Sequence, residues 1–245
     1  MKKTLIIFAI SLGISSLAFS QKTFLNPLNN PADKSLIQSE TSNMTWSMVS
    51  GSNKMEIGNI QTQIQKDDEK INIITTINMK QSPVKWVDST VVESKNFKPI
   101  YHSSFNHQRD MVLKFGKKIT GYYLNKKTGV KTQISENTND SYFDSNFYPQ
   151  LIRLLPLENG YSKTISIFDY NPTAKIGVIT ATIKNTETAT IDFNGTKKQV
   201  WKVEATDDIS NNSAVSTYYI DTTTRQIIKQ KVDLGGRKMI MELTQ

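Results

Sequence analysis

Ile71-Asn72-Ile73-Ile74-Thr75-Thr76-Ile77-Asn78-Met79 decides the fold class. Ile71, Ile73, Thr75, Ile77 and Met79 fall on one side of a period-two repeat, and Asn72, Ile74, Thr76 and Asn78 on the other. Successive side chains of an extended chain point to opposite faces, so the first set makes a largely apolar face that covers a core and the second a mixed one. Outward from this stretch the pattern returns in Ile179, Ala181, Ile183, in Trp201, Val203, Ala205, and in Met239, Met241, Leu243, the last opposed by Lys238 and Glu242. From Met44 onward, short runs rich in Val, Ile, Thr, Tyr and Trp alternate with Gly, Asn, Asp and Lys.

The turns between these runs carry their own chemistry. Asn194-Gly195 supplies the two positive φ angles of a type I′ hairpin, and Gly235-Gly236 can do the same. A longer turn occurs three times: Tyr122-Tyr123-Leu124-Asn125-Lys126-Lys127-Thr128-Gly129, Tyr218-Tyr219-Ile220-Asp221-Thr222-Thr223-Thr224-Arg225, and the looser Val91-Val92-Glu93-Ser94-Lys95-Asn96-Phe97. In the first two an Asx side chain can bond its own backbone two residues on and start the bend. Such spacing is too irregular for a solenoid or propeller and predicts a meander of about ten to twelve strands.

One segment breaks the β pattern. Asp144-Ser145-Asn146 offers helix N-caps, Pro149 suits a first turn, and Pro156 stops the run. Phe147, Tyr148, Leu151, Ile152, Leu154 and Leu155 cover most of a helix circumference and leave Gln150 and Arg153 polar, so this short helix must be buried against the sheet. The fold class expected is therefore mainly β. A single domain over 44–245 forms a curved antiparallel sheet or half-barrel meander, open or closed, with one short buried helix. Residues 21–43 are polar, contain Pro27 and Pro31, and read as a mobile N-terminal arm.

The first twenty residues set the compartment. Met1-Lys2-Lys3-Thr4 is a positive head, Leu5 to Leu17 is apolar, and Ala18-Phe19-Ser20 places small residues before Gln21. This is the pattern of a secretory signal peptide over 1–20, cleaved after Ser20, and predicts a periplasmic or secreted protein. Its loss removes Lys2 and Lys3 and takes the formal charge from +8 to +6. No further apolar run is long enough for a spanning helix, so no transmembrane span is expected in the mature chain. With no cysteine in the chain, a lipid anchor through Cys, a disulfide framework and thiolate zinc sites are all excluded. The basic doublets, such as Lys117-Lys118 and Lys197-Lys198, sit at turns and strand ends and deter edge pairing. Nucleic-acid binding is not expected, because no aromatic-interleaved basic motif is present.

Motifs of chemistry are missing. His102 and His107, the only histidines, are five apart and on a strand would face opposite ways. No G-x-S-x-G elbow, H-E-x-x-H pair or phosphate loop occurs. Asp207-Asp208 lacks the spacing of a calcium loop. No catalytic residue, metal ligand or cofactor is therefore predicted. What remains is the aromatic and aliphatic group at the helix. Phe143, Phe147, Tyr148, Leu151, Ile152 and Leu155 are the candidates to line an apolar cavity, with a solid core and a docking patch as the other readings of the same residues.

Asp88-Ser89-Thr90-Val91-Val92-Glu93-Ser94-Lys95-Asn96-Phe97-Lys98-Pro99-Ile100-Tyr101-His102 resembles the strand, bend and aromatic-Lys-Pro return of a family of exported Gram-negative envelope proteins of unknown function. Tyr218 to Arg225 with its return strand is similar to hairpins of that family and of periplasmic lipoprotein carriers. The resemblance covers roughly residues 44–245. It implies a strongly curved sheet around a helix-plugged apolar interior that in carriers holds acyl chains. The expectation is a non-enzymatic binding or carrier-like protein for a hydrophobic small molecule or lipid. The alternative is an envelope interaction or assembly scaffold with a filled core, which binds another protein.

Overall fold

The computed structural model describes residues 23–244; the signal peptide read over 1–20 lies outside them. Among the described residues fifteen strands form one sheet. They are β1 (Glu40–Ser50), β2 (Asn53–Lys66), β3 (Lys70–Met79), β4 (Trp86–Glu93), β5 (Pro99–Phe105), β6 (Arg109–Lys114), β7 (Ile119–Asn125), β8 (Lys131–Glu136), β9 (Phe143–Asp144), β10 (Lys163–Tyr170), β11 (Ile176–Phe193), β12 (Thr196–Asp207), β13 (Val215–Asp221), β14 (Ile227–Asp233) and β15 (Lys238–Leu243). The helix α1 (Tyr148–Leu154) lies between β9 and β10.

Two meanders make up this sheet. β1 to β8 step outward in one direction and β15 back to β10 in the other, with β9 added in parallel at the far edge. The chain's two ends are sewn together at the centre, where Met44–Val49 of β1 pairs with Leu243–Lys238 of β15. β8 and β9 are the free ends and share no ladder, so the curved sheet does not close into a barrel. Side chains bring the two flanks together instead. Met111, Leu113, Ile119 and Ile134 from β6–β8 share a buried cluster with Tyr142, Phe168 and Tyr170.

Glycine permits the close approach that curvature demands. A Cβ at Gly58 would sit 2.3 Å from the Asn78 carbonyl oxygen, and one at Gly121 only 1.8 Å from that of Val112. The alternation at Ile71–Met79 is realised as read. Ile71 and Ile73 are buried in the cluster that contains α1, while Thr75, Ile77 and Met79 further along the same face are half-buried. The helix therefore fills one end of the trough and leaves the other more open.

All three long turns share one geometry. The backbone N–H of the fifth residue donates to the carbonyl of the first: Phe97 to Glu93 at 2.8 Å, Gly129 to Asn125 at 2.8 Å, and Arg225 to Asp221 at 3.0 Å. That fifth residue is left-handed each time, with φ of 62°, 72° and 60°. Asn125 and Asp221 start their turns as read, each carboxamide or carboxylate oxygen accepting from the N–H groups two and three residues on. The looser copy keeps the geometry without that device. Its left-handed residue is Phe97, and the matching position in β13–β14 is Arg225. Both grip the helix: the Phe97 ring lies 5.2 Å from that of Phe147 at the helix start, and the Arg225 guanidinium donates to Leu155 O at its end.

Three local expectations need correction. Fifteen strands exceed the ten to twelve read from sequence, and two-residue β9 carries too little pattern to register. The alternation at Ile179, Ala181 and Ile183 belongs to β11, which runs on past a bulge between Ile183 and Asn185. The helix starts at Tyr148 with Phe147 at its N-cap and no side-chain cap; Asp144 is engaged elsewhere. Finally, the segment read as an arm over 21–43 contributes to the core through its described residues, from 23 on. Leu25 pairs with Ile165 along β10, Ile37 is fully buried, and β1 begins at Glu40, before Met44.

Candidate functional site

Cross-strand partners share a face of the sheet, so the register spells out the trough lining in rows. One row, Met44–Ile60–Ile77–Trp86, is apolar and crosses β1 to β4. The next, Ser42–Thr62–Thr75–Asp88–Ser104, is polar and reaches β5. Its two central hydroxyls lie 3.5 Å apart. On the other side of the apolar row, Trp46, Met48, Met239 and Met241 continue the same face across the β1–β15 seam. Helix α1 lies along the polar row. Between them runs a groove of about 190 Å³, with Pro149, Gln150 and Arg153 of the helix facing Ser42, Thr62 and Thr75. Two buried donors on this side of the sheet have no acceptor, the Trp46 indole N–H and the Arg153 Nε–H.

A second polar group lies where the two meanders meet. The His102 Nδ1–H of β5 donates to the Asp144 carboxylate of β9 at 2.9 Å, with the two side chains 8 % and 0 % exposed. Burial alone would push the imidazole down, but the Asp144 carboxylate beside it, with Asp88 and Asp169 behind, raises it above its ordinary value. Burial raises the Asp88 and Asp169 carboxyls in turn. Trp86 and Ser145 hold these two acids, at 2.6 and 2.8 Å. Arg109 donates to Ser104 on the same face. Among the described residues Asp144 is the only side chain bonded to the imidazole, so no nucleophilic hydroxyl meets this histidine. Nor, among those residues, is any group of three or more His, Asp or Glu side chains placed there to hold a metal.

A family model described as "Protein of unknown function (DUF3108)" matches residues 41–242. The chain belongs to the DUF3108 family. The match begins one residue into β1 and ends one residue before β15 does, so the DUF3108 unit is the whole sheet with its helix. Comparison with curated proteins and with solved structures gives no match.

In this DUF3108 protein the six residues read as cavity lining pack as core. Phe143, Phe147, Leu151, Ile152 and Leu155 are fully buried and Tyr148 nearly so, all within one cluster. The groove runs along the other side of the helix. Tyr148 reaches past the cluster to donate its hydroxyl to Asp207 at 2.6 Å, and burial first of all raises that phenol well above its ordinary value. Asp207 and Asp208 serve local structure: the first caps the short helical turn at Asp208–Ser210 and the second accepts from Thr180. His107 sits in the exposed β5–β6 turn, not on the strand with His102. Sequence spacing could not show either polar group, because in the groove Arg153 meets Glu40 across 113 residues and, apart from it, His102 meets Asp144 across 42.

Proposed function

We propose that this chain is a non-enzymatic binding protein whose ligand lies in the trough beside α1, an amphiphile with an apolar edge and a polar edge. What carries the reading is the pairing of the two rows, mainly hydroxyls along one wall of the groove and Ile, Met and Trp along the next. Six of the eight methionines, Met44, Met48, Met55, Met79, Met239 and Met241, lie on this face. Methionine is adaptable and suits a surface that must fit a flexible chain. The volume falls below the roughly 300–1,000 Å³ of sites that swallow a whole drug-sized ligand, so the groove would hold one end and the open trough the rest. A hydrophobic ligand such as a lipid fits the same description. The envelope-carrier resemblance and the export pattern of residues 1–20 complete the proposal, with binding in the periplasm or outside the cell. No helix among the described residues is long and apolar enough to cross a membrane.

Brominated dodecanol tests it through tryptophan quenching. Trp46 and Trp86 stand on the open trough, whereas Trp201, paired with Ile220, packs against the core cluster. Saturable quenching is expected in the folded protein, reduced in Trp46→Phe and Trp86→Phe and retained in Trp201→Phe. Absence of saturation, or quenching carried by Trp201, would reject the reading. The scaffold alternative, favoured by the filled core around α1, would then take its place.

A further inference from the structure

Arg153 is the one cation in the wall of the groove, whose only other charged member is Glu40. Its side chain is 3 % exposed. Nη2 donates to Glu40 Oε1 at 2.6 Å and Nη1 to the Arg225 carbonyl at 3.4 Å, while the buried Nε–H has no acceptor. A guanidinium presents a planar fork that suits two oxygens of one carboxylate. Glu40 offers it a single short bond, and the Glu40 side chain is 30 % exposed on the same groove. The arrangement therefore already holds a carboxylate, through one short bond and from the solvent side, with one donor left over.

We propose that the groove binds a single-chain amphiphile with a carboxylate head, which displaces Glu40 and takes both Nη2–H and Nε–H of Arg153. Glu40 swings out to water as the ligand enters. The alkyl chain then lies along Met44, Ile60 and Ile77, toward Trp46 at the more open end. Charge complementarity points the same way. Arg225 and Lys66 add positive charge near this end of the helix, where both are close enough to interact with Asp33. The inference rests on the binding reading above and names its ligand class.

Displacement of brominated dodecanol by dodecanoate and by dodecanol, at a pH where dodecanoate is ionised, separates the two claims. The wild type is expected to prefer dodecanoate by about tenfold, the margin of a charge-assisted over a neutral hydrogen bond. Glu40→Gln, which removes the competing carboxylate, is expected to widen that preference. Arg153→Gln is expected to abolish it and leave dodecanol binding in place. Equal affinity for the two in the wild type, weaker dodecanoate binding in Glu40→Gln, or a preference that survives in Arg153→Gln would each overturn the carboxylate site. Such results leave the binding reading standing, whereas failure of dodecanol itself to bind removes both. Glu40→Gln decides the matter alone should Arg153→Gln not fold.

Discussion

His102→Ala is expected to lower the free energy of unfolding by about 3–5 kcal/mol, the usual cost of removing one partner from a buried ion pair. Asp144 is fully buried, its Oδ1 accepts from His102 and from the Asn146 N–H, and its Oδ2 has no partner. Without the imidazole this carboxylate keeps one backbone bond and no neighbouring cation in contact. The pair also spans the join that no ladder closes. β5 belongs to the first meander and β9 to the second, and the two flanks share side-chain contacts but no closing ladder. Urea unfolding of the folded variant checks this: a midpoint shift worth less than about 1 kcal/mol would mean that Asp144 is not held by His102.

The same pair fixes a pH dependence whose sign can be worked out. His102 titrates above its ordinary value of about 6.5 in the folded chain. Its contribution is therefore fully present below that value and is lost as pH rises through the raised one. Asp88 and Asp169 are also raised, so the folded form takes up their protons more readily than the unfolded one and is favoured as pH falls. All three groups act in one direction. Asp33, Asp67, Asp208, Asp221, Asp233 and Glu242 are lowered by their hydrogen bonds and neighbouring cations, and withdraw stability in the carboxylate range. Stability is thus expected to peak on the acid side of neutrality and decline toward alkaline pH, with a shallower decline in His102→Gln. Urea midpoints that rise with pH above about 6.5 would contradict this.

Period-two patterning at Ile71–Met79 is enough to read a half-buried strand, and the Asx and Asn-Gly signals are enough to read hairpins, because both are local. Burial of the helix is legible for the same reason: six apolar residues round one short segment leave only Gln150 and Arg153 polar. What the sequence could not show is set by partners far along the chain. Arg153 reads as the polar side of the helix, yet it is buried because Glu40 and the Arg225 carbonyl wait for it there. His102 has no motif neighbour, and its meaning comes from Asp144, which reads as a helix cap until the fold puts it beside an imidazole. The six residues assigned to a cavity are interior, as their composition implies. Composition alone does not distinguish a lined void from a packed one, and here they pack.

Phe147→Ala is expected to cost about 3–5 kcal/mol, the range for truncating a buried aromatic, because the Phe147 side chain is wholly enclosed by the core. Its partner makes the test sharper. Phe97 holds a left-handed backbone with φ of 62°, a conformation that costs a non-glycine residue of order 1–3 kcal/mol. Glycine would relieve that strain, so the turn chemistry alone favours a glycine in place of Phe97, as it favours Gly129 in the sister turn. Phenylalanine stands at this position in spite of its backbone because its ring, fully buried, meets Phe147 at 5.2 Å. Two expectations follow for a double-mutant cycle. Phe97→Gly alone should destabilise, since lost burial exceeds relieved strain. In the Phe147→Ala background the same change should cost less, by the roughly 0.5–1.5 kcal/mol that such a ring pair contributes. Additive costs would mean that the two rings are neighbours without being partners, and that the turn does not fix where the helix begins.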